Sequence, residues 1–358
     1  MYITSHLRIK CMVKKKILVD YSWINKSLSG GALKSCQNLH NIFTNEYFNN
    51  YYDCTFLINK SQKNLFKFKN FKRQYAPKNI ILNHLFRFFL FFFLKNINEI
   101  DIIFIPNIYS PIFNGKAKIY NLIHDGQWLI FPEYFSFTRK IWLRLNYYII
   151  NIKKNKCIFT TKYVKQQYTR LLFNSSSVVI PLPFIKSINQ FKKIKIIENI
   201  KFNLILSSNL PHKNIEIIKK VQKKRKKKFK NIYLVIAGIG QTYNLDKKNK
   251  IFNLGEVSES EKNWLFNKCE NFLIPSLYEG FGMIMIESMI YSKKVISSNI
   301  ASLIETGNNS INYIKNPKSE KEWDKNIFYS KKKKVKKFNI RLYTQEIIKK
   351  YTNIFFVN

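Results

Sequence analysis

Glu279 and Glu287 stand with seven residues between them in the stretch Pro275-Ser276-Leu277-Tyr278-Glu279-Gly280-Phe281-Gly282-Met283-Ile284-Met285-Ile286-Glu287. A carboxylate accepts two hydroxyl hydrogen bonds at once, which suits a sugar or the vicinal diol of a ribose. Gly280 and Gly282 carry no Cβ, so the backbone there can take positive φ and approach a ligand closely. The flanking elements must position these groups. Asn271-Phe272-Leu273-Ile274 reads as a short buried strand, and Met283 to Tyr291 as a helix with Met283, Ile286, Met289 and Ile290 at helical spacing. Strand, glycine loop and helix, in that order, aim backbone N–H groups and a positive helix end above the sheet, where a phosphate is the natural guest. Glu279 falls in the loop, and Glu287 about a turn into the helix is expected to point along the same groove. Taken singly, each Glu reads as a loop acid or a solvated helix residue. The glycine loop between them is what points to a site.

Other segments repeat the pattern. Phe202 to Leu206 reads as a strand, and Lys213 stands just before a helix through Ile215, Ile218 and Val221. A lysine there is placed to hold phosphate as a point charge. The strand Lys118 to Ile123 ends in His124-Asp125-Gly126, which puts an imidazole at the carboxyl edge of a sheet, where open α/β folds bind ligands. On position alone His124 is equally a hydrogen-bonded loop histidine. Ile17 to Asp20 is followed by Gly30-Gly31 and a helical stretch through Leu33, Cys36 and Leu39; two adjacent glycines by themselves are usually a turn.

Ser276 to Glu287 resembles the signature of the retaining glycosyltransferases of family 4, which have the GT-B architecture. Lys294 to Asn299 and Ser302-Leu303-Ile304-Glu305 are similar to the segments that follow it in that family. The resemblance is strong from Phe202 to Glu305 and weak before Lys118. It implies catalytic roles for Glu279 and His124, and donor binding by Lys213, Gly280, Phe281, Gly282, Met283, Glu287, Gly30, Gly31 and Ser208. It also implies that Ile251 to Val257 is the sheet edge that meets the nucleobase. Many members carry an Arg five residues before the Lys; Ser208 stands there in this chain, so one of two cations on a diphosphate is missing.

The fold class expected is α/β: two Rossmann-like domains facing across a cleft, with a last helix, Thr344 to Phe356, crossing back to the first domain. The boundaries are residues 1–184 for the acceptor-side domain, 185–200 for a linker, 201–340 for the nucleotide-sugar-binding domain and 341–358 for the returning segment. A length of 358 residues fits two domains of average size, and 46% hydrophobic residues can fill their cores. The long helix after His124 is expected to run through Trp142, Leu145 and Ile149.

The net charge of +41 suggests a polyanion partner at first sight. Lys, Asn, Ile, Phe and Tyr are abundant together, and all five share A/T-rich codons, so lysine is raised throughout with no partner selecting for it. Nucleic acid is therefore not expected. The runs Lys223 to Lys228 and Lys331 to Lys337 read as solvated loops or helix ends, with an anionic membrane surface as the functional alternative. Five scattered cysteines without a Cys-x-x-Cys spacing fit a reducing cytoplasm and no zinc site. No signal peptide is visible, and residues 1–12 are expected to be poorly ordered. The run Leu85 to Leu94 is half the length of a membrane span and contains an Arg; it reads either as a buried helix or as an aromatic helix in a membrane interface.

The expected function is transfer of a hexose, with mannose from GDP-mannose favoured, to a glycan or lipid-linked acceptor in surface polysaccharide synthesis. Retention of configuration is implied by the resemblance. No metal or other cofactor is expected, because no Asp-x-Asp in a metal-binding context occurs. The expected location is cytoplasmic, with peripheral contact at an anionic membrane. Three rivals stand beside this: a catalytically impaired GT-B protein, a basic polyanion-binding protein on the same shell, and another GT-B enzyme such as an epimerase or phosphorylase, against which the paired Glu residues argue.

Overall fold

A computed structural model describes residues 13–24, 30–59, 65–66, 71–89, 94–169, 176–185, 190–225, 231–240, 243–291, 294–307, 311–330 and 338–356. Residues 1–12, residues 90–93 of the Phe-rich run, residues 226–228 of the first lysine run and the whole run 331–337 lie outside them.

The described chain forms two compact units. The first takes the residues up to Ile185 together with those from Arg341 onward, and the second takes the stretch between. In the first unit the strands are β1 (Lys15–Asp20), β2 (Tyr52–Asn59), β3 (Lys72–Ala76), β4 (Ile102–Ile105), β5 (Lys118–Ile123), β6 (Lys156–Phe159) and β7 (Ser177–Val179). They lie in the order β3-β2-β1-β4-β5-β6-β7, and every pairing is parallel. Sheets of this kind are covered on both faces, which is why β1 and β4 read as unbroken apolar runs rather than alternating ones. Val19 lies opposite Phe56 on one side and Phe104 on the other, and all three are fully buried.

The second unit contains β8 (Lys201–Leu206), β9 (Ile232–Ala237), β10 (Asn244–Asp246), β11 (Ile251–Asn253), β12 (Asn271–Ile274), β13 (Lys294–Ser298) and β14 (Asn312–Ile314). Their order is β10-β11-β9-β8-β12-β13-β14, parallel throughout except the β10–β11 pair. The expected sheet edge at Ile251 therefore has a further strand outside it. Asn271 donates to the side chain of Asn203 at 2.6 Å, a buried polar pair that fixes the register of β12 against β8.

Residues 190–200 are not a free linker. Ile194 and Ile197 are buried, the Lys192 N–H donates to the Ser260 carbonyl at 3.1 Å, and Lys192 pairs with Glu261 at 2.9 Å. The polar, lysine-rich composition concealed two apolar anchors at a short spacing. The last helix, Ile340–Ile354, packs into the first unit as expected. Tyr52 donates to the Thr352 carbonyl at 2.7 Å, Tyr343 donates to that of Leu182 at 2.6 Å, and Tyr351 meets Phe43 and Phe104.

The helix after His124 spans Phe137–Ile152, capped by Ser136, which accepts from the Arg139 N–H. It runs through Trp142, Leu145 and Ile149 as expected; its buried positions are Leu143, Asn146 and Ile150, and Leu145 is exposed. Apolar residues occupy both sides of this helix, so their spacing alone does not identify the inner face. The Phe-rich run divides as well: Phe86 and Phe88 are buried, while Leu85 and Phe89 are exposed. Among the described residues, no helix is long and apolar enough to cross a membrane.

Candidate active site

Both sheets wind outward from an inner strand in two directions. In the second unit the chain moves from β8 to β9, returns past β8 to β12, then continues to β13 and β14. The connections after β8 and β12 must part at their carboxyl ends, and the crevice they leave is where open α/β sheets receive ligands. Lys213 and Glu279 meet there, whereas His124, Gly30 and Gly31 belong to the first unit.

Lys213 ends a short 3-10 turn, Pro211–Lys213, beyond β8. Asn214 follows in the left-handed region at φ 52° and starts the helix Ile215–Lys224. Its side-chain amide holds the strain in place by donating to the carbonyls of Pro275, at 3.2 Å, and Pro317, at 3.0 Å. The Leu277 N–H donates to the His212 carbonyl at 2.7 Å. The loops after β8 and β12 are thus tied together by main chain. Across this tie Lys213 Nζ lies 2.7 Å from Glu279 Oε1, with both side chains largely buried. Ser276 Oγ donates to the same oxygen at 2.8 Å. Among the described residues no hydrogen bond falls on Glu279 Oε2, so one carboxylate oxygen is anchored and the other is available to a hydroxyl.

Gly282 is the N-cap of the helix Met283–Ile290 at φ 78°, and a Cβ there would strike the buried side chain of Leu303. Both facts restrict this position to glycine. Gly280 is not in the left-handed region, so only one of the two expected glycines is needed for positive φ. Phe281 is buried, and Met283 is half-buried as the first helical residue. Ser208 is exposed beyond the end of β8.

Glu287 is buried and faces Lys262, whose Nζ lies 3.0 Å from Glu287 Oε1 and 3.0 Å from Glu259 Oε1. Burial acts against charge on Lys262, but Glu287 and Glu259 outweigh it and raise its pKa. The sequence reading missed Lys262. A Ser258–Glu261 capping box marks the start of its helix, Glu259–Lys268, but nothing in the sequence ties it to a Glu 25 positions later.

In the first unit His124 leaves the end of β5, half-buried, with Nε2 3.3 Å from the Pro106 carbonyl at the end of β4. Burial lowers its pKa, although Asp125 and the Pro106 carbonyl work in the other direction, so the ring is neutral near pH 7. The Asp125 side chain accepts from the Gln127 N–H at 3.0 Å, and its carbonyl accepts from Tyr168 at 3.0 Å. Gly30 and Gly31 are the first two residues of the helix Gly30–Phe43, and a Cβ on Gly31 would meet open space. Among the described residues no group of three or more His, Cys, Asp and Glu could hold a metal ion.

A family model described as glycosyl transferases group 1 matches residues 186–341. This segment, 156 of the 358 residues, resembles the group 1 glycosyltransferases. Relatives extend the match. The chain is 29% identical over 215 residues to an O-antigen chain mannosyltransferase, RfbU, of Salmonella typhimurium, covering 57% of this chain and 58% of that protein. It is 36% identical over 70 residues to the serotype-specific mannosyltransferase WbdA of Escherichia coli, covering 20% of this chain and 8% of that protein. The chain thus spans little more than half the length of the former and a small part of the latter. Among solved structures, Anabaena HepE in complex with UDP and glucose matches at 15% identity with a TM-score of 0.65, over 95% of this chain and 100% of that one. At that identity the likeness shows the fold: two Rossmann-like units with a helix returning to the first.

Proposed function

We propose that this protein is a retaining glycosyltransferase that moves a hexose from a nucleotide-sugar donor to an acceptor hydroxyl. The observation that carries the reading is the Lys213–Glu279 pair at 2.7 Å, in the crevice where β8 and β12 part. A diphosphate leaving group gains negative charge in the transition state. Lys213, together with the amides around Gly282 at the start of the helix, supplies positive potential there. The reacting sugar gains positive character, and Glu279 binds its hydroxyls and stabilises that charge through Oε2 while Ser276 and Lys213 hold Oε1. In this proposal Gly280, Phe281 and Met283 line the donor's path, Glu287 holds the nucleotide ribose, and Ser208 takes the place of a second phosphate-binding cation. His124, Gly30 and Gly31 are assigned to the donor sugar from the first unit. No metal or other cofactor takes part.

Two relatives named as mannosyltransferases favour mannose from a GDP donor, and a glycan or lipid-linked acceptor in the synthesis of surface polysaccharide. A cytoplasmic location goes with such donors. The test is a panel of GDP-, UDP- and dTDP-sugars incubated with the full chain, with donor loss and product mass read by mass spectrometry. Turnover of a GDP-hexose supports the reading. Binding without turnover points to an impaired enzyme. Tight, steeply salt-dependent binding of DNA with no donor bound overturns the reading in favour of a polyanion-binding protein.

A further inference from the structure

The helix Phe137–Ile152 is apolar on two opposite sides. Leu143, Asn146 and Ile150 face the core, yet Phe137, Ile141, Leu145, Tyr148 and Ile152 are all exposed, Phe137 at 73% and Tyr148 at 61%. At 100° per residue these five fall within about 80° of arc, and the stripe they form is roughly 22 Å long. The helix Ile80–Phe88 repeats the arrangement. Ile81, Leu82, Leu85 and the adjoining Phe89 are exposed on one side, while Phe86 and Phe88 are buried.

The two stripes lie on the same side of the first unit. The connections β3 to β4 and β5 to β6 advance across the sheet in the same direction, and right-handed crossovers place both helices on one face. Contacts agree: the Trp142 ring meets His84 at 5.1 Å and Phe88 at 4.8 Å. On each helix the contacting residues lie beside the exposed stripe, not opposite it. The loop at Ile112-Phe113, also exposed, joins the two. The Ile112 N–H donates to the Phe88 carbonyl at 3.1 Å, and its carbonyl accepts from Lys153 at 2.7 Å. So many exposed apolar side chains on neighbouring elements of one face, on a chain with a folded core, mark something that covers them.

Charge selects the occupant. Neither helix contains an acidic residue, and Lys140 and Arg144 border the longer stripe. Two copies joined through this face would bring two carboxylate-free basic rims together with no counter-charge from either helix. Apolar side chains with Phe and Tyr among them, edged by Lys and Arg, match the acyl and anionic headgroup layers of a bilayer surface. We propose that this face of the first unit lies in the interface of an anionic lipid bilayer, held by the stripe Phe137 to Ile152 and its basic border. The inference does not depend on sugar transfer, since lipid binding is measured without donor.

The experiment is co-sedimentation of the full chain with vesicles of mixed phosphatidylglycerol and phosphatidylcholine, and with vesicles of phosphatidylcholine alone. The variants are Ile141→Glu/Leu145→Glu and, in case that pair folds poorly, Phe137→Glu/Tyr148→Glu. Because the chain is basic everywhere, Lys219→Glu/Lys224→Glu in the second unit serves as a charge control. The wild type should bind the anionic vesicles, and either stripe variant should lose at least about tenfold in partition while the control loses less. Lys140→Glu/Arg144→Glu should lose a comparable factor on anionic vesicles. Equal binding by the wild type and the stripe variants, or greater loss in the control, overturns the proposal. So does absence of vesicle binding, and self-association in sedimentation velocity that the stripe substitutions abolish would then identify a second copy as the occupant.

Discussion

The two units share one winding plan and differ in how they treat charge at the carboxyl ends of their strands. The crevice of the second unit holds a charged pair, Lys213 and Glu279, with Ser276 fixing the carboxylate. The corresponding region of the first unit disfavours charge. His124 is lowered by burial, and Asp20 at the end of β1 is fully buried, with its carboxyl pushed up to about 6, chiefly by burial. Hydrogen bonds from Ser22 and the nearby Arg87 moderate that rise without cancelling it. The lesson is that a repeated topology fixes where a ligand can sit but not what chemistry is offered there. The second unit keeps a charged pair at its strand ends, and the first keeps a buried carboxyl and a histidine whose charged forms burial disfavours.

The largest effect that could break this contrast is expected from Glu279→Ala. If the charged pair does the chemistry, donor turnover should fall by about 10²–10³-fold, on the order of the loss of one preorganised transition-state contact. Turnover within a factor of two of wild type would remove Glu279 from the reaction. Lys213→Ala comes next, with donor affinity in calorimetry weakened by roughly 10- to 100-fold, the range of a charge-assisted hydrogen bond. An unchanged affinity would leave the phosphate without its assigned partner.

The opposite treatment of charge in the first unit is tested by Asp20→Asn. A carboxyl whose folded pKa lies above its unfolded value of 3.8 holds its proton more tightly when folded. Its contribution to stability is therefore full below about pH 4 and lost as pH rises through 6. Relative to the wild type, the Asn variant should gain on the order of 2–3 kcal/mol between pH 4 and pH 7 in denaturant titrations. A difference independent of pH would mean that Asp20 is ordinary. The smallest effects concern the glycines. Gly282→Ala should destabilise by about 1–3 kcal/mol through positive φ and the clash with Leu303. Gly31→Ala, with open space around it and a helical backbone, should be neutral or stabilising by up to about 1 kcal/mol. Loss of donor turnover in that stable variant would locate a ligand beside Gly31.

Much of the second unit was legible because its signals are local. The strand at Asn271–Ile274, the helix from Met283 and the turn before Ile215 are each marked by a few neighbouring residues. β2 and β3 were not read. Tyr52–Asn59 alternates buried and half-buried positions and then becomes wholly buried, and Lys72–Ala76 is an exposed edge strand with little apolar content. The site was legible as residue types and positions but not as pairs. Lys213 and Glu279 are 66 residues apart, and Lys262 and Glu287 are 25 apart, so each meeting is decided by sheet order rather than by spacing. The inner face of Phe137–Ile152 was not legible, because the spacing of its apolar residues fits two faces and only the sheet beneath decides which is buried.

The helix Ile340–Ile354 sits in the core of the first unit yet follows the whole second unit in the chain. During synthesis the sheet of the first unit emerges early and must wait, with Phe43, Tyr52 and Phe104 uncovered, until the second unit has been translated. Ribosome pausing or premature termination within the second unit would expose that aromatic surface to chaperones and proteases, so the two halves reach the cell as one all-or-nothing product.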